Sequence, residues 1–188
     1  DYRHLPKLDA PATPERMLRE TLETFEPTVA VSDLNLPGYS GLAALSLLHE
    51  RLPTLPLRYA AHDDTARTLA AWWGQRQELV QVMHPAMPAS PGHAHWKAVC
   101  TQAAGLFSVV FDERFTAKQV DAFVDALRLF KLGYSWAGPV SLVVPYDLAT
   151  MRERPAWKGT LVRFSIGLES ADALIADCEQ ALASSGLA

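Results

Sequence analysis

Long apolar runs are missing from this sequence. No stretch approaches the roughly 20 apolar residues that a transmembrane helix needs. The first residues, DYRHLPKLDAPATPE, contain no hydrophobic region of the kind found in signal peptides. We therefore expect no membrane association and a cytoplasmic location. The sequence does not begin with Met, which favours a fragment, a processed product or an engineered piece.

Cysteine and net positive charge are also scarce. Cys100 and Cys178 are the only cysteines, and they lie far apart without metal-like spacing, so reduced thiols are expected. His93 and His95 are only two residues apart, with His84 upstream, and this pattern does not predict a zinc site. The net charge of −4 argues against a broad nucleic-acid-binding surface.

Apolar residues make up 49% of the 188-residue chain, enough for a core in one or two domains. The clearest pattern lies in residues 129–169, where two strand candidates, SLVVP and LVRFSIG, flank a polar connection. In the second, Val162, Phe164 and Ile166 alternate with Leu161, Arg163 and Ser165 and should face the core. Arg163 should then lie on the opposite side, where its planar fork of donors suits a carboxylate or a phosphate.

The remaining pattern alternates helices with short strands, which predicts an α/β fold. We expect a mixed or antiparallel sheet with helices on one face. Three helices are predicted over residues 41–51, 57–73 and 93–103, although residues 55–64 also fit a strand. Another helix is predicted to begin at Thr13, and another at Ser170. A further helix is predicted to begin at a Thr116/Gln119 capping box and to end at Gly133. Further strands are predicted at 28–32, in LVQVM and in LFSVVF.

Several segments together resemble a known enzyme family. They are RYAAHD, VMHPAMPASPGHAHWK, AAGLFSVVF, GYSWAGPVSL and GTLVRFSIGLE. This set is similar to the C-terminal domain of the pyridoxal-phosphate enzymes of cysteine and methionine metabolism, most of all the cystathionine β-lyases. The resemblance runs from about Leu57 to Leu182 and implies a carbon–sulfur lyase fold of the aminotransferase-like small-domain type.

The resemblance assigns roles to three residues. It implies that Arg163 binds the α-carboxylate of an amino-acid substrate such as cystathionine, and that Ser135 and Trp136 lie on the substrate side. The alternatives are a surface Arg paired with a local acid, a turn residue and a core anchor. Ala137 stands where the family usually has Gly, which constrains the loop. A homo-oligomer is also compatible with the resemblance.

The cofactor implied by the resemblance is pyridoxal phosphate, and the groups that hold it are missing from the sequence. The cofactor needs a Lys for covalent attachment, a phosphate cradle, an Asp and a stacked ring. None of the five lysines stands in the family's attachment motif; they are Lys7, Lys97, Lys118, Lys131 and Lys158. We expect this chain alone to bind the cofactor poorly and to show no catalytic residue of its own.

A second resemblance covers the first part of the chain. The segment TVAVSDLNLPGYSGLAALSLLHERLPTLPL, at residues 28–57, is similar to the middle of a response-regulator receiver domain, which makes Asp33 the matching phosphoacceptor. The acidic pair that should hold Mg²⁺ has no strand to carry it, so a vestigial turn is the alternative. We therefore predict an incomplete receiver-like segment at residues 1–56 and a lyase-type domain at 57–188. A non-catalytic or engineered chimera is the third interpretation.

Overall fold

The structure is a computed structural model that describes residues 35–36, 39–40, 52–151 and 156–187. Asn35–Leu36 (β1) pairs antiparallel with Tyr39–Ser40 (β2). Asp33 and the elements predicted from Thr13, at 28–32 and at 41–51 lie outside the described residues. The receiver-like interpretation of residues 1–56, including a phosphoacceptor role for Asp33, stays a prediction.

Five strands form one mixed sheet. They are Leu79–Met83 (β3), Leu106–Phe111 (β4), Lys131–Leu132 (β5), Leu142–Asp147 (β6) and Thr160–Ser165 (β7). The spatial order is β3-β4-β7-β6-β5, so the strand that carries Arg163 is central. Neighbouring strands are antiparallel except for β5 and β6, which are parallel. The predicted fold class is confirmed.

Helices supply the other side of the core. They are Leu55–Trp73 (α1), His93–Val99 (α2), Ala117–Ala126 (α3), Leu148–Met151 (α4) and Ala171–Ser185 (α5), with a 3₁₀ turn at Leu52–Thr54. Trp73 of α1 is fully buried, and its ring lies 5.8–6.0 Å from the rings of Phe111, Phe123 and Phe164. Residues of α1, α3 and α5 therefore pack with one face of the sheet in a single core. No helix in the described part of the chain is long and apolar enough to cross a membrane.

The capping box at the start of α3 is confirmed, but the predicted end of that helix is wrong. Gln119 N donates to Thr116 Oγ1 at 3.3 Å, and Thr116 N donates to Gln119 Oε1 at 3.0 Å. The helix ends at Ala126 rather than near Gly133, because the buried carboxylate of Asp177 on α5 accepts the backbone N–H groups of Arg128 and Leu129. A long-range carboxylate replaces the local helical bonds, and the chain continues as strand β5.

Helix α1 confirms the helix predicted over residues 57–73, but its buried side is not purely apolar. Leu57 is 73% exposed, whereas Asp63 is buried. The Asp63 carboxylate accepts hydrogen bonds from Ala103 N at 2.7 Å and from Arg67 Nε at 2.9 Å. The bond to Ala103 also ties the chain after α2 to α1, and α2 accordingly ends at Val99 rather than at 103.

Burial of His84 predicts a loss of stability in acid. The ring is fully buried, Nδ1 accepts from Ala86 N at 3.2 Å, and burial, followed by the charge of Arg67, lowers the His84 pKa below its ordinary 6.5. Because the folded pKa is the lower one, the contribution of His84 to the free energy of unfolding should be fully present well above pH 6.5 and should decrease as the pH falls below it. The slope should reach at most about 1.4 kcal/mol per pH unit.

Urea unfolding at several pH values checks this expectation. His84→Gln should flatten the slope below the ordinary His pKa, whereas His95→Gln, at an exposed position, should leave it unchanged. Equal slopes in wild type and His84→Gln would show that another group controls the acid sensitivity.

Candidate substrate-carboxylate site

Arg163 lies in the middle of the central strand, on the side away from the helices. Its neighbours in the sheet are Ser108 on β4 and Val144 on β6. Val162 and Phe164, on either side of it in sequence, are fully buried in the core that the helices cover. The alternation predicted from the sequence is therefore confirmed, and a rigid strand fixes the Arg163 backbone.

The guanidinium of Arg163 has weak partners. Nη2 donates to Gly133 O at 3.3 Å and to Ser135 O at 3.4 Å, both long for such bonds. The buried Nε–H has no acceptor in the described part of the chain. Cζ lies 6.0 Å from the ring centroid of Trp136 and 6.0 Å from that of Tyr146.

No acidic side chain among the described residues compensates the charge of Arg163. Among the described residues, the ion pairs are formed elsewhere, by Arg67, Arg76 and Lys158. The alternative of a surface Arg paired with a local acid finds no support in these ranges. A desolvated cation without an anionic partner attracts a carboxylate, and charge-assisted bonds of this kind are stronger than neutral ones.

The loop between β5 and β6 brings Ser135 and Trp136 beside Arg163. Ser135 is half-buried and offers its carbonyl to the guanidinium, whereas Trp136 is 58% exposed. The core-anchor alternative for Trp136 is therefore wrong, and its ring is available to a ligand. Ala137 N donates to Ser165 Oγ at 3.3 Å, which attaches this loop to the end of β7.

Ala137, at the position where the resembled family usually has Gly, adopts φ +64°, a left-handed conformation. This conformation costs an L-residue roughly 1–2 kcal/mol in the folded state, and Gly would relieve that strain. Gly also has a larger conformational entropy in the unfolded chain, which offsets part of the gain. Ala137→Gly should therefore raise the free energy of unfolding by about 0.5–1 kcal/mol.

Denaturant midpoints measure this gain against Ala89→Gly. Ala89 is exposed in a loop and lacks a positive φ, so its replacement should destabilise by about 0.5 kcal/mol. A loss of stability in both variants would mean that Ala137 is not strained.

Hydrogen bonds between Ser141 and Glu169, called the latch below, hold the base of this loop. The sequence alone did not predict them. Ser141 donates to Glu169 twice, from N to Oε1 at 2.9 Å and from Oγ to Oε2 at 2.8 Å. Ser141 Oγ in turn accepts from Gly167 N at 2.9 Å, and Leu168 N donates to Pro139 O at 2.9 Å. The only signal in the sequence was the acidic residue that follows the SIGL segment.

The described residues do not fit a pyridoxal-phosphate site. Their four lysines are all exposed: Lys97, Lys118, Lys131 and Lys158. Lys131 Nζ donates to Arg128 O at 2.9 Å, and Lys158 lies 3.6 Å from Glu113, so neither amine faces an enclosed site. Within the same residues, no group of three or more His, Cys, Asp or Glu could hold a metal ion.

Comparison with known proteins identifies the family. The profile of the family described as "Cys/Met metabolism PLP-dependent enzyme" matches residues 39–183, so the chain belongs to this family of pyridoxal-phosphate-dependent enzymes. This match confirms the resemblance, and with it the cofactor class, predicted from the sequence.

The curated relatives include a cystathionine beta-lyase and an amino-acid racemase. Cystathionine beta-lyase of Salmonella typhimurium is 41% identical over 131 residues, which cover 67% of this chain and 33% of the relative. An L-alanine/L-glutamate racemase of Wolbachia pipientis is 34% identical and covers 73% of this chain and 35% of the relative. The chain thus spans about a third of the length of the curated relatives it matches.

Solved structures agree with the fold. Cystathionine gamma synthase from Xanthomonas oryzae pv. oryzae, in complex with aminoacrylate and cysteine, superposes with a TM-score of 0.67 at 29% identity. The superposition covers 80% of this chain and 40% of that one. The same enzyme in complex with cystathionine gives a TM-score of 0.65 over equal shares. The chain is therefore similar to part of a transsulfuration enzyme in sequence and in fold.

Proposed function

We propose that this chain supplies the substrate-carboxylate anchor of a pyridoxal-phosphate-dependent carbon–sulfur lyase that acts on cystathionine-like amino acids. The observation that carries the proposal is the Arg163 guanidinium, which lacks an anionic partner among the described residues and lies on the central strand. The relatives that are cystathionine beta-lyases support the substrate class. A cytoplasmic location and a homo-oligomer are part of the same proposal.

The work of this chain is binding and orientation. The Nη groups of Arg163 bind the α-carboxylate, and the exposed ring of Trp136 borders the bound amino acid. Because Arg163 is fixed on a rigid strand, binding of the planar carboxylate holds the rest of the substrate in one orientation. Such orientation of the reacting groups lowers the activation barrier. Covalent attachment of the cofactor requires residues other than those described here.

We predict that the chain alone does not take up the cofactor productively. With pyridoxal phosphate added, no absorbance band should develop near the ~420 nm expected for cofactor linked to a Lys. Borohydride treatment followed by peptide mapping is the second measurement, and it should find no single modified Lys. Stoichiometric modification of one Lys, together with β-elimination from cystathionine, would contradict the proposed division of roles.

The carboxylate anchor is tested by ligand titration of the full chain. L-Alanine should shift the NMR signals of the Trp136 indole and the Arg163 side chain, whereas L-alaninamide, which lacks the carboxylate, should not. Arg163→Gln should abolish the response, and Arg163→Lys should retain a weaker one because Lys keeps the charge without the fork. Equal responses to alanine and its amide would overturn the proposed function.

A further inference from the structure

Tyr146 borders Arg163 from the sheet itself. It lies on β6, and its register partner on β7 is Leu161, two residues before Arg163 on the same side of the sheet. The Tyr146 side chain is half-buried, and its ring meets the ring of Tyr134 edge-on at 6.4 Å. Trp136, by contrast, belongs to a loop and is mostly exposed.

The orientation of the Arg163 guanidinium depends on contacts with neighbouring rings, because its hydrogen bonds are weak. Its two hydrogen bonds to backbone carbonyls are 3.3 and 3.4 Å long, and they share one nitrogen, Nη2. Bonds of this length constrain a planar group weakly. The two rings, each 6.0 Å from Cζ, supply cation–π contacts that restrict the plane of the group.

We propose that Tyr146 is a positioning residue: its ring, fixed in β6, holds the Arg163 guanidinium in the orientation that receives the substrate carboxylate. The proposal rests on the proposed function and deepens it. Tyr146 acts through Arg163 and touches no reacting atom. The ring face is the active part, so Phe at this position preserves the effect and an aliphatic side chain loses it.

The test measures the guanidinium directly. Rotation about the Nε–Cζ bond of Arg163 is followed by ¹⁵N NMR of the full chain, without any ligand. Tyr146→Leu should accelerate the rotation and weaken L-alanine binding by about two- to fivefold, in keeping with the loss of one cation–π contact. Tyr146→Phe should match wild type in both measurements. Tyr59→Leu, at a half-buried position on α1, is the control.

Two results would contradict the positioning role of Tyr146. Unchanged rotation and affinity in Tyr146→Leu would overturn the proposal, as would a Phe variant as defective as Leu, which would assign the effect to the hydroxyl. If Tyr146→Leu does not fold, Tyr146→Met gives the same comparison. A wild-type chain that fails to bind alanine would sink the proposed function, while the rotation measurement would still decide the role of Tyr146.

Discussion

Gly167→Ala should destabilise the fold by about 3 kcal/mol, an effect at the upper end of ordinary overpacking. A Cβ built on Gly167 would lie 2.4 Å from Pro139 O and 2.6 Å from Val140 C, both backbone atoms that cannot rotate away. It would also lie 2.5 Å from Glu169 Oε2, an atom of the latch. To remove these clashes, the end of β7 and the base of the Ser135–Trp136 loop must move apart.

The matched control is Gly74→Ala. Gly74 ends α1 with φ −64°, and a Cβ there would meet its nearest atoms at 3.4 Å, an ordinary contact distance. The same chemical change should therefore alter stability by no more than about 1 kcal/mol, with stabilisation expected from the lower entropy of the unfolded chain. Urea midpoints measure both variants. Similar midpoints would mean that the 139–140 segment moves aside freely, and that the latch does not fix the loop.

Gly167→Ala also tests whether the latch is needed for carboxylate binding by Arg163. The Ser135 carbonyl accepts from Arg163, and its loop leads into Ser141, whose N–H and hydroxyl bind Glu169. Under conditions where Gly167→Ala remains folded, a displaced loop should weaken L-alanine binding more than Gly74→Ala does. The coupling follows from the structure, because one short segment connects the two sets of hydrogen bonds.

Local patterns were sufficient for much of the fold. Alternation in LVRFSIG placed Arg163 and Phe164 on opposite sides of a strand, and the Thr116/Gln119 pair marked a helix start correctly. Both signals act over a few residues, so the sequence displays them directly. The end of α3 was missed because Asp177, about fifty residues away, accepts the N–H groups that would have continued a helical pattern.

The same distinction applies to the candidate site. Arg163, Ser135 and Trp136 were found through family motifs, and the structure brings them together. Tyr146 and Glu169 were not found, because their roles arise from strand pairing and from a loop that folds back on β7. A half-buried Tyr in a strand and a Glu after one have no distinctive spacing. Only the register of β6 against β7 reveals what they contact.

Ile166→Ala should cost about 2–5 kcal/mol, whereas Arg163→Ala, three residues earlier, should cost no more than about 1 kcal/mol. Ile166 is fully buried in the core cluster, and its truncation leaves a cavity between the sheet and the helices. Arg163 packs outside that core, makes two long hydrogen bonds and has no ion-pair partner in the described ranges. Its replacement also removes a buried, unsatisfied Nε–H.

For binding of L-alanine, the order of the two effects should be the opposite. Arg163→Ala should abolish binding of L-alanine to the folded chain, because the carboxylate loses its only charged anchor among the described residues. Ile166→Ala, measured at a temperature where it remains folded, should retain binding, since Ile166 faces the core rather than the loop. Denaturant melts and the alanine titration give the two readouts on the same samples. Should Arg163→Ala prove as destabilising as Ile166→Ala, the guanidinium is a structural group, and its assignment as a substrate anchor loses its physical basis.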